Sequence, residues 1–355
     1  MTLEAWIRLA PGVLLLSVVA SAAPGVENAE KTERTVLVAG EGLREPFGVD
    51  FDSAGNTYVV EMAGARVSVV DRAGKLRVLA GTGERGFYGD GGPAVRAQFN
   101  GPHHLLMGPD GGLYVADTWN HSVRRVDLGT GLVTRAAGMG EPGFFGDGGS
   151  ALDARFGHVF NIAFRGNGLY VCDLDNRRIR AIDLATRVVT TVAGNGQRGV
   201  PRDGEDARSQ PLVDPRAIAF DSKGSLYIAE RGGHALRVVD PDGKIHTVAG
   251  TGEAGHSGDD GPAAAARLNG PKHLFVEKDD SVLITDTENH VIRRYSPRDG
   301  TIRRVAGTGE PGSAGLGGPP LRCQLNRPHG AQVHPATGDL YISDSENHRV
   351  LRVER

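Results

Sequence analysis

The chain has 355 residues, 40 basic and 43 acidic, with a formal net charge of −3, 39% hydrophobic residues and 23% charged ones. It can therefore bury a core, lacks the charge excess of a disordered chain and carries no overall basic footprint for nucleic acid. Its 52 glycines are roughly 15% of the sequence, about twice the usual ~7%, and runs such as Leu283-Ile284-Thr285-Asp286 exclude a collagen triplet, so a repeat architecture is the reading that remains.

From the amino terminus, Met1–Ala23 carries one basic residue, Arg8, then the apolar run Leu9–Ala20 interrupted at Pro11-Gly12, and then the small residues Ala20-Ser21-Ala22-Ala23. This order is that of a secretory signal peptide whose apolar part is too short to span a bilayer. A secreted or periplasmic protein is expected, with residues 24–33 as a linker and no integral membrane segment once the signal is removed. The cysteines, Cys172 and Cys323, fall nearly opposite each other in the ring argued below, which predicts two free thiols.

From residue 34 onward one unit repeats six times. Its inner strands begin at Pro46-Phe47-Gly48-Val49, Pro102-His103-His104-Leu105, Val159-Phe160-Asn161-Ile162, Pro215-Arg216-Ala217-Ile218, Pro271-Lys272-His273-Leu274 and Pro328-His329-Gly330-Ala331, spaced by 56 or 57 residues. A turn such as Asp52-Ser53-Ala54-Gly55 follows, then a β-rich run ending in an acid (Glu61, Asp117, Asp173, Glu230, Asp286, Asp344). A third run carries Asp-x-x-Asn-His-x-aliphatic-Arg, clearest at Asp117–Arg124 and Asp286–Arg293, and a fourth ends in variants of Val-Ala-Gly. Four short strands per unit and no long helix predict an all-β, six-bladed propeller of four-stranded blades. The sixth unit stops after its third strand, and Arg34–Gly40 repeats the Val-Ala-Gly signature before blade one. The N-terminal strand is thus expected to complete the C-terminal blade and close the ring, giving one domain over 34–355.

The residues Asn120-His121 and Asn289-His290, each followed after one residue by an aliphatic and then an arginine, and Asn347-His348, followed at once by Arg349, resemble the NHL repeat, whose family forms six-bladed propellers. Blades one, three and four depart from it with Ala65-Arg66, Asn176-Arg177 and Gly233-His234. The long Gly-rich segments between blades make the chain similar to bacterial extracytoplasmic NHL proteins and to the teneurin propeller.

Those segments contain Gly-x-Gly-x-x-Gly five times, from Gly81, Gly138, Gly194, Gly250 and Gly307. A dinucleotide fingerprint needs a helix opening at once inside a βαβ unit, and none follows, so the glycines are expected to shape turns. Asp90, Asp147, Asp203 and Asp259 could bind calcium, but turn bonding accounts for them more simply. The strand-end acids with Arg124, Arg180, Arg237 and Arg293 are read as ties between strands or blades, and His121, His234, His290 and His348 as bonding their local turn.

A specific site should break the repeat. That criterion selects the inner-strand starts around the central channel, where His103, His104, Asn161, Arg216, Lys272, His273 and His329 gather. Three imidazoles, His103, His273 and His329, could hold a zinc ion with an open position. Alternatively the cationic pair and protonated histidines could hold an anion, or the channel could be polar and hydrated without a dedicated ligand. The propeller of peptidylglycine amidating lyase, similar in fold, binds zinc through three Pro-His dipeptides. Pro102-His103 and Pro328-His329 match that pattern, whereas blade four has Pro215-Arg216. The family's catalytic tyrosine and arginine would fall near Asp175 and Met62, so neither is present. The acidic and amide metal ligands of gluconolactonase-type propellers are also missing, apart from Asn161.

The reading is a binding module, a monomer for a small molecule or protein at the channel or loop face, without intrinsic catalysis. The competing reading is a metal-dependent lyase or hydrolase, with zinc or calcium as the possible ion. The short closing junction, Glu41–Glu45, is expected to leave a notch beside blade one.

Overall fold

The computed structural model describes residues 33–355, so the leader Met1–Ala23 and nearly all of the 24–33 linker lie outside the described residues. Six antiparallel sheets follow one another along the chain. Blade two shows the pattern, with inner strand Pro102–Met107, second strand Leu113–Asp117, third strand Ser122–Val126 and outer strand Val133–Ala137. Neighbouring inner strands touch in cyclic order, blade six against blade one included, so the sheets stand radially around an axis as a six-bladed β-propeller. Each blade is covered on both faces by its neighbours. That is why second strands such as Leu226-Tyr227-Ile228-Ala229-Glu230 read as continuous apolar runs and are buried throughout. Among the described residues there is no α-helix, only short 3-10 turns, and no helix long and apolar enough to cross a membrane.

The ring closes as the repeat predicts. Arg34–Ala39 pairs antiparallel with Arg349–Glu354, in the register Arg34↔Glu354, Val36↔Arg352 and Leu37↔Leu351, and supplies the outer strand of blade six. Cys172 and Cys323 are free and buried.

A β-bulge at the start of the inner strands sets up the channel mouth. Pro102 pairs with Asp117 and His104 with Ala116, so His103 is the extra residue, and Arg216 and Lys272 stand in the same bulge in blades four and five. In a regular strand successive side chains point to opposite faces. The bulge breaks that alternation and lets two consecutive residues per blade face the axis.

The recurrent polar residues build the scaffold. Asp286 accepts Asn269 N–H at 2.7 Å and the Asn289 amide at 2.8 Å, and lies 3.5 Å from the buried Arg293. The insertion aspartates complete the lattice: Asp90 pairs with Arg124 at 2.8 Å, Asp147 with Arg180 and Asp259 with Arg293 at 2.7 Å, while Asp203 accepts Thr247 N–H at 2.9 Å. Blade six places its arginine two positions earlier, and Arg349 reaches Asp344 at 2.7 Å.

The signature histidines differ from the expectation of a local turn bond. Each adopts the left-handed region, with φ of 51° at His121, 47° at His234, 56° at His290 and 51° at His348. Each ring then bonds the next blade: His234 Nδ1 accepts Gly270 N–H at 3.1 Å, His290 Nδ1 accepts Arg327 N–H at 3.0 Å and His348 Nδ1 accepts Glu45 N–H at 3.0 Å. Histidine tolerates positive φ better than most residues, so one residue both turns the chain and ties two blades.

The Gly-rich insertions run outward onto the edge of the blade that follows, and anchor between blades through the fully buried Phe99, Phe156, Leu212, Leu268 and Leu325. Gly194 shows why glycine opens them: its φ is +87°, and a Cβ there would stand 2.1 Å from the Arg177 carbonyl oxygen.

Candidate functional site

The bulge residues form an upper ring at the mouth: Phe47, His103, Phe160, Arg216, Lys272 and His329. Phe47 stacks on His329 at 3.9 Å and meets His103 edge-on at 4.8 Å; His103 meets Phe160 at 4.7 Å. The Arg216 guanidinium lies 3.6 Å over Phe160, and Lys272 Nζ donates to His329 Nε2 at 3.3 Å. Five of the six junctions around this ring are direct contacts; at the sixth, two cations, Arg216 and Lys272, are neighbours.

A lower ring follows, of Gly48, His104, Asn161, Ala217, His273 and Gly330. His104 and His273, from opposite blades, approach Nε2 to Nε2 at 3.1 Å and bar the channel. Gly330 is the close-approach position of this ring, since a Cβ there would stand 2.2 Å from the Phe47 carbonyl oxygen. Asn161 Oδ1 accepts Ile218 N–H from the next blade at 3.0 Å.

Hydrogen bonding divides the four histidines into two kinds. In His103 and His329, Nδ1–H donates to the carbonyl two residues back, Gly101 at 2.6 Å and Arg327 at 2.8 Å, which leaves the Nε2 lone pair facing the mouth. In His104 and His273, Nδ1 instead faces a donor, Ile162 N–H or Ala331 N–H, each at 3.4 Å. A metal-ligating imidazole donates its second N–H to an acceptor, and only the first kind does so. His273 is thus in the wrong ring and in the wrong hydrogen-bonding environment to join His103 and His329, and Phe47 packs against both of those. Among the described residues no group of three or more His, Cys, Asp or Glu side chains is placed to hold a metal ion. All four imidazoles are held neutral. Burial lowers their pKa values first, and then the nearby charges of Arg216 and Lys272 act on His103 and His329, while His273 sits at about 4.

Arg216 is the exception among the buried arginines. Arg124, Arg180, Arg237, Arg293 and Arg349 each hold a carboxylate. Arg216 is only 5% exposed, and its Nε and Nη1 are sealed from solvent with no hydrogen-bond partner among the described residues. Burial, then the charge of Arg231, brings its pKa down to about 9. The surrounding charges are already spoken for: Arg231 pairs with Asp214 at 2.7 Å, and Glu288 takes both Lys272 and Arg327 at 2.8 Å. Burial works against the charge of Glu288, but bonds from Arg327 and Lys272 outweigh it and hold the carboxyl at about 2. Burial also lowers Lys272 to about 8. With Arg327 also paired to Glu346 at 3.3 Å, the mouth carries one positive charge, that of Arg216, without a carboxylate partner, on an aromatic floor.

Of the residues expected from sequence, His103, Arg216, Lys272 and His329 share the upper ring, and His104, Asn161 and His273 share the lower one. Phe47, Phe160 and Glu288 were not among the expected ligand contacts. The two phenylalanines occupy the same repeat position as His103 and could have been included on that ground. Glu288 lies in the turn after the second strand, and no spacing rule points it at Lys272.

Six radial blades closed by strand exchange define the protein as a six-bladed β-propeller. The NHL repeat model matches residues 99–126 and 325–352, the three inner strands of blades two and six with their approaches, so the propeller carries NHL repeats in these two blades. NHL repeat-containing protein 2 of Gallus gallus is 28% identical over 270 residues, which is 68% of this chain and 37% of that protein. Teneurin-1 of Gallus gallus is 28% identical over 274 residues, 68% of this chain and 10% of that protein. The chain thus spans well under half the length of these relatives. A structure described as an auxiliary nutrient binding protein from Bacteroides ovatus superposes with a TM-score of 0.64 at 17% identity, covering 91% of this chain and 76% of that one, a likeness of fold.

Proposed function

We propose that this propeller is a binding module whose site is the channel mouth and whose ligand presents a small anionic group, a carboxylate or phosphate, to Arg216. The observation that carries this reading is the buried guanidinium whose Nε and Nη1 have no partner among the described residues. A buried charge without a partner is costly, and every other buried arginine here has an acid. Lys272 adds a second cation, Phe47 and Phe160 supply aromatic surface, and the Nε2 lone pair of His103 can accept a hydrogen bond from a donor on the ligand. The description of a structural neighbour as a nutrient-binding protein fits such a role. The signal-peptide order of Met1–Ala23 supports a location outside the cytoplasm; cell fractionation with an antibody to the mature chain tests it.

The site is tested by thermal unfolding with acetate, benzoate, phosphate and phenyl phosphate, on the wild type and on Arg216→Met. The reading expects at least one of these anions to raise the wild-type melting temperature and none to raise that of Arg216→Met. A wild type indifferent to all four, or a variant that responds equally, would overturn it.

A further inference from the structure

One blade edge in this ring differs from the other five. In blade two the preceding insertion pairs with the free side of the outer strand: Gly91 N–H donates to Val133 O at 2.7 Å and Val133 N–H donates back to Gly92 O at 3.0 Å. The same bonds recur from Gly148 to Val189 in blade three, Gly204 to Ile245 in blade four, Asp260 to Ile302 in blade five and Gly317 to Thr35 in blade six, at 2.7 to 2.8 Å. Leu76 of blade one stands in the same register, pairing with Val70 as Val133 pairs with Val126. The junction leading into blade one, Gly40–Glu45, is too short to reach it, and Leu76 N–H and C=O have no backbone partner on that side among the described residues. The burial follows. Val133, Val189 and Ile245 are 0% exposed and Ile302 and Thr35 are 1% exposed, whereas Leu76 is half-buried and the neighbouring Val78 is 40% exposed.

We infer that the outer edge of blade one docks an extended, acidic, glycine-rich peptide segment of a partner protein, which adds a fifth strand to that blade. The chemistry of the occupant comes from the segments that fill the equivalent edges: Gly89-Asp90-Gly91-Gly92-Pro93, Gly146-Asp147-Gly148-Gly149-Ser150 and Gly258-Asp259-Asp260-Gly261-Pro262. Glycine serves to turn the segment onto the edge, with φ of +101° at Gly89 and +83° at Gly91. The acid follows from the exposed charge of this edge alone, since Ser68 stands where blade two has Arg124, the partner of Asp90. The blade-one edge exposes Arg72, Lys75 and Arg77, and the one acid of its turn, Asp71, is occupied by the N–H groups of Ala73 and Lys75 at 2.9 Å. A second copy is the wrong occupant, because antiparallel self-pairing through the open Leu76 N–H and C=O would set Arg77 of each copy opposite Lys75 of the other. Basic edge residues deter self-association while leaving the backbone open to an acidic strand.

The test is hydrogen–deuterium exchange of the full chain with a synthetic peptide of the sequence of residues 86–95 and with its Asp90→Lys counterpart. The free protein should exchange the segment 74–80 much faster than 131–137. The acidic peptide should slow 74–80 at least tenfold at saturation, and the lysine peptide should bind at least tenfold more weakly. Leu76→Pro should abolish the effect, and Arg77→Glu, which leaves the strand donors intact, should reverse the peptide preference. Equal protection of the two segments in the free protein, no slowing by either peptide, protection at another blade, or a concentration-dependent dimer lost in Leu76→Pro would each overturn the inference.

Discussion

His104 and His273 meet Nε2 to Nε2 at 3.1 Å across the channel axis, from blades that face each other in the ring. Only one proton fits between them. Each Nδ1 faces a backbone N–H of the next blade, so whichever ring accepts at Nε2 must carry its own proton on Nδ1 and relax that contact. The bar therefore has two near-equivalent proton arrangements and is stable only while both rings are neutral.

That neutrality predicts a pH dependence. Burial, followed by the charge of Arg216, lowers His273 to about 4, while an unfolded histidine titrates near 6.5. Stability from the neutral ring is complete above about pH 6.5 and is lost as the pH falls through about 4, on the order of 3 kcal/mol in all. Urea unfolding from pH 7.5 to 4 should show the wild type losing more stability than His273→Gln over this window. The buried carboxyls Asp117 and Asp286, raised to about 7 by burial, titrate with the opposite sign and cancel in the difference. Parallel curves for the two proteins would refute the assignment.

Glu288 is the acid that keeps the mouth from being more positive, through Lys272 and Arg327. Glu288→Gln should raise the affinity for the anion found with the wild type several-fold and steepen its dependence on salt. Titration calorimetry at two ionic strengths measures both, and weaker binding would show that Glu288 positions Lys272 instead of restraining its charge.

The ion pairs of the scaffold should differ sharply in worth. Arg293 is fully buried between Asp286 and Asp259, so Arg293→Ala strands two carboxylates and should cost about 3–5 kcal/mol. The surface pair of Arg34 with Glu354, whose arginine side chain is 62% exposed, should yield about 0–1 kcal/mol on Arg34→Ala. Equilibrium denaturation of both variants checks the contrast.

At His290 the backbone and the ring contribute separately. His290→Ala loses the bond to Arg327 N–H and places alanine at a φ of 56°, at an expected cost of about 1–3 kcal/mol. His290→Gly should recover the conformational part and His290→Asn part of both. If glycine were no better than alanine, the positive φ would not be what the position selects.

Much of this molecule could be read from periodicity. The spacing of Pro46, Pro102, Val159, Pro215, Pro271 and Pro328 gives six blades, and the Val-Ala-Gly signature at Val38–Gly40 finds the closing strand. The same spacing brings His103, Arg216, Lys272 and His329 to one ring, because a repeat position is also a place in space. What periodicity does not carry is which atom faces what. His273 and His329 look equivalent as channel histidines, yet one Nδ1 meets a donor and the other a carbonyl, a difference set by the bulge and by which of two adjacent positions each residue holds. The insertions were also opaque as strands. Their glycines suggest turns, and the pairing of Gly91 with Val133 depends on a blade whose sequence comes some 40 residues later.

The strand Arg34–Ala39 finds its partner 320 positions away, where Arg34 meets Glu354. Each blade other than the sixth can form its hairpins as soon as its own residues are available, but the circle cannot lock until the last strand is free to pair with the first. Closure is then a late, long-range event of the kind that slows folding. Until it occurs the chain is an open arc of blades, so unfolding that starts by releasing this one strand should free the whole ring, and the seam between the two ends of the sequence should set the protein's lifetime.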